Sequence, residues 1–409
     1  MVVTIIVLLI LAGVTISLAL GDNGIIGKAQ EASNMYANAS KDEKKSLNDL
    51  SDEITRLSGR GDDEGGSGGG GGSTADYTIT DSGVKPASST TAVTPLSTSE
   101  TKTLADNKGN IVKVPKNFGI AYESGDNVAE GIVIEYTGTS DSDPLKGNQY
   151  VWVPVGQAIT KTDGTTMPAI TLGRYDFDAQ WNSSTSTIDG TGTAILKQDS
   201  ANWATPTSFM PTGKTYNVYE YSADNSEGNA YGNTKASNLS GFITSANSNH
   251  GYYIARYEAG SGASNSKPYT QKNKTAWVSI TQPNAATACQ GMYDGLNSDL
   301  INSYAWDTAI VYIQTATGNT AYSKQNRGSN TSKVNTGITG DEQCKINDMA
   351  KNICEWTTES STRTVTGNGY PCVSRGGYCD VVNYFTAFRS YNITTYRSDG
   401  FGFRPLLYL

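Results

Sequence analysis

The stretch NDMAKNICEWT (347–357), followed by SRGG (374–377) and GFRP (402–405), decides the architecture of the last three-quarters of this 409-residue chain. Gly376, Gly377 and Gly402 are the residues a backbone needs for positive φ or close approach. Arg375 and Arg404 offer rigid forks of donors that can satisfy several carbonyls at once. Trp356 is a large apolar side chain suited to the core of a domain with little regular structure. These six residues are expected to be scaffold.

Outward from them, short runs rich in Val, Ile, Tyr and Trp are separated by Gly, Asn, Asp and Ser clusters. Strands are expected over Ile111–Val114, Gly131–Tyr136, Tyr150–Val155 and Tyr252–Tyr257. Two stretches read as helix, Ala285–Leu296 and Tyr304–Gln314. The second sets Trp306, Ile310 and Ile313 along one face. Scattered strands with two helices and no βαβ alternation indicate an α+β domain without a nucleotide-binding glycine pattern.

Five phrases occur in a telling order: YVWVPVG (150–156), GYYIARYE (251–258), KP (267–268) with WVS (277–279), NDMAKNICEWT, and the RGG and GFR pair. Together they resemble the formylglycine-generating, sulfatase-modifying family. The resemblance implies an irregular C-type-lectin-like fold over residues 103–409. The resembled enzymes hold copper with two cysteines shortly after RGG. Here Cys379 lies in that neighbourhood, but the second position, near Tyr384, has no thiol. One thiol cannot make a near-linear Cu(I) site. No catalytic residue, cofactor or metal site is therefore expected. The single histidine, His250, sits in the polar loop NSNHG (247–251), and no CxxC pair occurs among the five cysteines.

Residues 378–401 read YCDVVNYFTAFRSYNITTYRSDGF, four Tyr and three Phe among Ser, Asn, Asp and Thr, with no Lys, Glu, Gln, Met or Trp. Rigid amphipathic rings beside small hydrogen-bonding residues are the chemistry of antibody-like paratopes. The segment resembles the variable region of proteins diversified by retroelements, in which adenines of AAC-type codons are randomised. Every residue from Tyr378 to Phe401 belongs to the set such codons can reach. The resemblance implies a ligand-binding face made of Tyr378, Cys379, Asp380, Val381, Val382, Asn383, Tyr384, Ser390, Tyr391, Asn392, Tyr396, Arg397, Ser398, Asp399 and Phe401. Phe385, Phe388, Arg389 and Leu406 would support it from beneath. A protein or glycan ligand is expected. The alternatives are a fixed lectin-like adhesin, a structural subunit that only coats a fibre, and a copper oxidase.

At the other end, Val2–Leu20 is a run of nineteen residues without a charge, about 28 Å as a helix and so about a bilayer's hydrocarbon thickness. Residues 21–58 continue it with Ile26, Ala29, Ala32, Tyr36, Leu47, Leu50, Ile54 and Leu57 at helical spacing. The stretch resembles the N-terminus of type IV pilins of Gram-positive bacteria, though the family's leader and processing glycine are missing ahead of Val2. It implies a long helix, 1–20 apolar and 21–58 amphipathic, that anchors the chain in a membrane or builds a homopolymer at a bacterial cell surface. Residues 59–102, rich in Gly, Ser and Thr, read as a linker. The net charge of −8 and the absence of basic runs exclude nucleic acid as a partner, since Lys and Arg must concentrate to displace counterions.

Overall fold

The computed structural model describes residues 75–199, 209–211, 213–220, 238–262, 266–328 and 332–409. One compact unit spans Ser73–Leu409. The anchoring helix expected over 1–58 lies outside the described residues, and among these no helix is long and apolar enough to cross a membrane. Among the described residues the unit is mostly β, with short strands and three α-helices.

Two sheets carry the fold. The first runs through β1 (Phe118–Ile120), β2 (Val133–Tyr136), β3 (Gln149–Pro154), β5 (Gly251–Ala255), β6 (Asn297–Leu300) and β11 (Pro405–Tyr408), in the spatial order β6-β11-β5-β3-β2-β1. The second joins β4 (Val218–Glu220), β7 (Cys354–Ser361), β8 (Cys372–Arg375) and β9 (Arg389–Asn392) in that order, and β10 (Phe401–Phe403) pairs with β7 in parallel. The helices are α1 (Leu239–Ser248), α2 (Gln282–Cys289) and α3 (Ser303–Thr317).

β3 and β5 are buried on both faces, so their near-continuous apolar runs need cover on each side. Successive side chains alternate across a strand. Tyr252 accordingly points one way, its hydroxyl donating to Ala305 O of α3 at 2.6 Å. Tyr253 points the other, donating to Lys113 O at 2.8 Å in the hairpin of Lys102–Ala105 with Ile111–Val114. α3 is enclosed along most of its length. The Asn302 side chain caps its start by accepting from Ala305 N at 2.8 Å, and Gly318, at φ 72, takes the left-handed turn that ends it.

The expected strands fall on or within two residues of observed ones. The first expected helix is shorter than its apolar pattern implied, since α2 starts at Gln282 and stops at Cys289. Residues 75–102 correct the expected linker. Tyr77–Thr78 pairs in parallel with Leu104–Ala105, Ile79 and Val84 are buried, and the Leu96 amide donates to Phe118 O at 3.0 Å. The Ser/Thr-rich composition conceals a few apolar anchors whose partners lie well along the chain.

Candidate ligand-binding face

The face is built on β7, which is buried along its whole length. On its start, Glu355 and Arg404 form a two-point ion pair, Nη2 to Oε1 at 2.6 Å and Nε to Oε2 at 2.9 Å. The remaining Arg404 nitrogen, Nη1, donates to Ala255 O at 2.9 Å, and Nη2 also serves Asn347 O at 2.8 Å. Arg404 thereby ties β10's end to β5 and to the loop 347–353. Trp356 donates Nε1 to Ile280 O at 2.9 Å.

The glycines stand where nothing else fits. A Cβ on Gly377 would lie 1.8 Å from Ala350 O, and Gly376 holds φ 87 against Met349 O. A Cβ on Gly402 would meet Ile353 Cδ1 at 2.4 Å. The strand therefore passes flush over the loop 349–353. That loop receives the next segment through Gly377 N to Met349 O and Cys379 N to Asn352 O.

A second ion cluster lies at the far end of β7. Arg375 donates to Asp307 Oδ1 at 2.5 Å and to Glu359 Oε2 at 3.2 Å. Arg389 donates to Asp307 Oδ2 at 2.8 Å and to Glu359 Oε1 at 2.9 Å. Arg174 adds a 3.6 Å contact to Glu359. Burial opposes ionisation of Glu359, but Arg389, Arg375 and Arg174 hold its carboxyl below the usual value. The Arg174 and Arg389 guanidiniums also lie over the Phe209 ring, at 4.4 and 5.2 Å. These side chains bolt β8 and β9 to α3.

The residues of 378–401 divide on this frame. Cys379, Phe385, Thr386, Ala387, Tyr391, Gly400 and Phe401 are buried. Loop 382–387 is strapped down by Asn326 Nδ2 to Val382 O, Thr386 N to Gln325 O and Trp306 Nε1 to Thr386 O. Tyr378, Val381, Val382, Asn383, Tyr384, Ser390, Asn392, Tyr396 and Ser398 are half-buried, and Asp380, Arg397 and Asp399 are exposed.

The presented rings of Tyr378, Tyr384 and Tyr396 cluster over the buried Phe401 and Trp356. Phe401 lies 5.2 Å from Trp356, and Tyr396 packs 5.2 Å from Phe401. Tyr378 stands 6.2 Å from Phe401 and 5.9 Å from Tyr384. The Tyr384 ring is 4.5 Å from Phe388, and its hydroxyl is 3.1 Å from Ser390 Oγ. Offset and edge-on rings at these distances stabilise one another while leaving their rims to solvent. Tyr378 donates its hydroxyl to Asp380. Burial, with Asp380 beside it, pushes the Cys379 thiol up to about 12, so it is a poor nucleophile at neutral pH.

Three residues of the expected face are placed differently. Cys379 and Phe401 are 2% and 5% exposed and belong to the support. Tyr391 is 9% exposed and lies on the opposite side of β9 from Tyr384 and Ser390. Strand alternation groups it with Arg389, and its ring meets Tyr216 at 4.9 Å rather than Tyr396. Three exposed or half-buried positions that sequence reasoning did not name, Ile393, Thr394 and Thr395, fill the turn before Tyr396. Their signal was position alone, inside the Tyr-rich window. Trp277, half-buried 5.3 Å from Phe403, and Lys333, which donates to Asp399 O at 2.8 Å, border the face from outside 378–401.

Among the described residues, no three or more His, Cys, Asp or Glu side chains are grouped to hold a metal ion. A polar cleft of about 480 Å³, lined by Ser124, Asp126, Glu130 and Thr317, shares no residue with the face.

No protein-family model matches the chain, and no curated protein matches it. Solved structures with some likeness include the Major Tropism Determinant P3c variant, 11% identical, covering 76% of this chain and 95% of that one at a TM-score of 0.25. The M1 variant of the same protein is 13% identical, with 77% and 96% coverage and a TM-score of 0.25. The I1 variant is 11% identical, with 77% and 96% coverage and a TM-score of 0.24. Values this low carry no argument about fold or ligand.

Proposed function

We propose that the chain binds a macromolecular ligand through the face of 378–401, by recognition without chemistry, and that the half-buried and exposed positions of that face are diversified. The observation that supports this is the division within one segment. Residues such as Phe385, Arg389 and Phe401 are locked into core or ion cluster, while interleaved neighbours such as Tyr384, Ser390 and Tyr396 reach solvent on fixed backbone. Rigid tyrosine rings supply contact area at low entropy cost, and Ser, Asn and Asp supply adjustable hydrogen bonds. The apolar run 2–20 would hold the domain at a cell surface, and display in many copies would raise weak single-site affinity by avidity.

Sequencing the gene's 3′ end across cells of one natural population tests the reading. Substitutions at adenines of codons such as 380, 383, 384, 390 and 396, with codons 375–377, 389 and 402–404 fixed, are expected. An invariant stretch would return the domain to a fixed adhesin or a structural subunit.

A further inference from the structure

Next to the turn 396–400, and outside the Tyr-rich segment, runs the stretch 276–280. It is tied down at three points. Trp277 N donates to Ala259 O at 2.7 Å and Ser279 N donates to Ser398 O at 2.9 Å, while Ile280 O accepts from Trp356 Nε1. The Ser279 bond joins this stretch directly to the face. From the far side of the same turn, Lys333 donates to Asp399 O.

Phe401 and Phe403 project from one side of β10, as alternate residues of a strand do. Tyr396 rests on the first at 5.2 Å and Trp277 on the second at 5.3 Å. Trp277, Tyr378, Tyr384 and Tyr396 are thus half-buried aromatics packed on one buried base, which includes Phe401, Phe403 and Trp356. The indole nitrogens differ in their use. Trp306 and Trp356 are fully buried, and each donates to a backbone carbonyl. The Trp277 Nε1–H donates to no described residue. A ring seated on a fixed apolar base with an open donor is the form in which tryptophan serves at interfaces.

We propose that Trp277 is a fixed anchor of the ligand face, its rim packing against a protein ligand and its Nε1–H donating to an acceptor there. The inference rests on the reading of 378–401 as a binding face. It adds to that segment a side chain it lacks, since 378–401 holds no Trp, and Trp is foremost among the residues that dominate protein interfaces. A protein is favoured over a sugar because four ring rims over one base make a broad contact surface rather than a pocket. The ties of 276–280 run through backbone atoms and the buried Trp356, so substitutions at the exposed positions of 378–401 leave Trp277 in place.

The test pans a phage library of cyclic random dodecapeptides on the full chain, with a panel of immobilised glycans run in parallel. Clones whose binding Tyr396→Ala abolishes are bound at the face. Most of these are expected to bind Trp277→Ala about tenfold more weakly or worse, as interface anchors do. Trp277→Phe keeps a ring on Phe403 but removes the donor, and should fall between that variant and the unaltered chain. Thermal melting is checked for each variant, and Trp277→Phe carries the test if Trp277→Ala melts early. Tyr122→Ala, which removes an exposed ring just beyond β1, should change binding less than about twofold. Tyr396-dependent clones that bind both Trp277 variants as well as the unaltered chain would overturn the proposal and leave the face standing. Tyr396-dependent retention on glycans with none on peptides would overturn it too. Binding of neither kind that responds to Tyr396→Ala would instead bring down the face itself, and this inference with it, so the two failures are told apart.

Discussion

Tyr391 and Asp380 lie eleven residues apart in one Tyr-rich segment yet answer to different physics. The Tyr391 ring is enclosed by Tyr216, Val373 and Phe209, and truncating a buried aromatic leaves a cavity. Tyr391→Ala should therefore cost about 3 kcal/mol of stability, read as a lower denaturation midpoint at unchanged slope. Asp380 is exposed, so Asp380→Ala should stay within about 0.5 kcal/mol while altering affinity for a cognate ligand. Gly377→Ala belongs with the first class. Its methyl would collide with the Ala350 carbonyl, a backbone atom that cannot step aside, and the loss should be at least about 2 kcal/mol. The segment's composition could not separate these cases. The alternation Arg389, Ser390, Tyr391, Asn392 could have, because it puts Tyr391 on the side of the buried arginine.

At the scale of elements, β9 is a four-residue edge strand whose position depends on Arg389 reaching α3 and β7. Replacing Arg389 with Met would strand Asp307 and Glu359 beside one fewer cation. Breaking one partner of a buried pair costs about 3–5 kcal/mol, so Arg389→Met should unfold at lower denaturant and release the loops on either side to faster amide exchange. Strands were legible where apolar runs were dense, as at YVWVP. α1 was not recognised, although Leu239, Phe242, Ile243 and Ala246 recur at i, i+3, i+4 and i+7 and are buried. The Ser, Asn and Gly between them masked the period. The Asn238 side chain, which accepts from Gly241 N at 3.0 Å, was the start signal. Residues 75–102 were misjudged for a different reason. Their order comes from pairing with residues far along the chain, which no local composition records.

For the molecule as a whole, buried carboxylates set the response to pH. Burial raises Glu220 to about 7, although Ser303 and Thr358 donate to it, and the nearby Glu359 raises it further. Burial likewise raises Asp299 and Asp341 to about 6 each. Between an unfolded value near 4 and these folded values, the native state holds more protons than the unfolded chain. Stability is then greatest on the acid side of this window and declines as pH rises through it, by about 1.4 kcal/mol per unit for each proton held. Glu359 runs the other way, its contribution being lost only as pH falls below the ordinary glutamate range. Thermal melts should accordingly show a higher midpoint at pH 5.5 than at pH 8. Glu220→Gln should flatten the slope between pH 6 and 8, and a midpoint rising steadily to pH 8 would contradict this account.

The alternation along β9 has a consequence for how such a protein can change. Its stability is carried by Arg389 and Tyr391 on one side, and the proposed ligand would meet Ser390 and Asn392 on the other. Substitutions on the two sides act on separate observables. A collection of natural variants differing only on the outer side should scatter widely in affinity and hardly at all in melting temperature, so novelty in recognition need not wait for compensating repairs in the core.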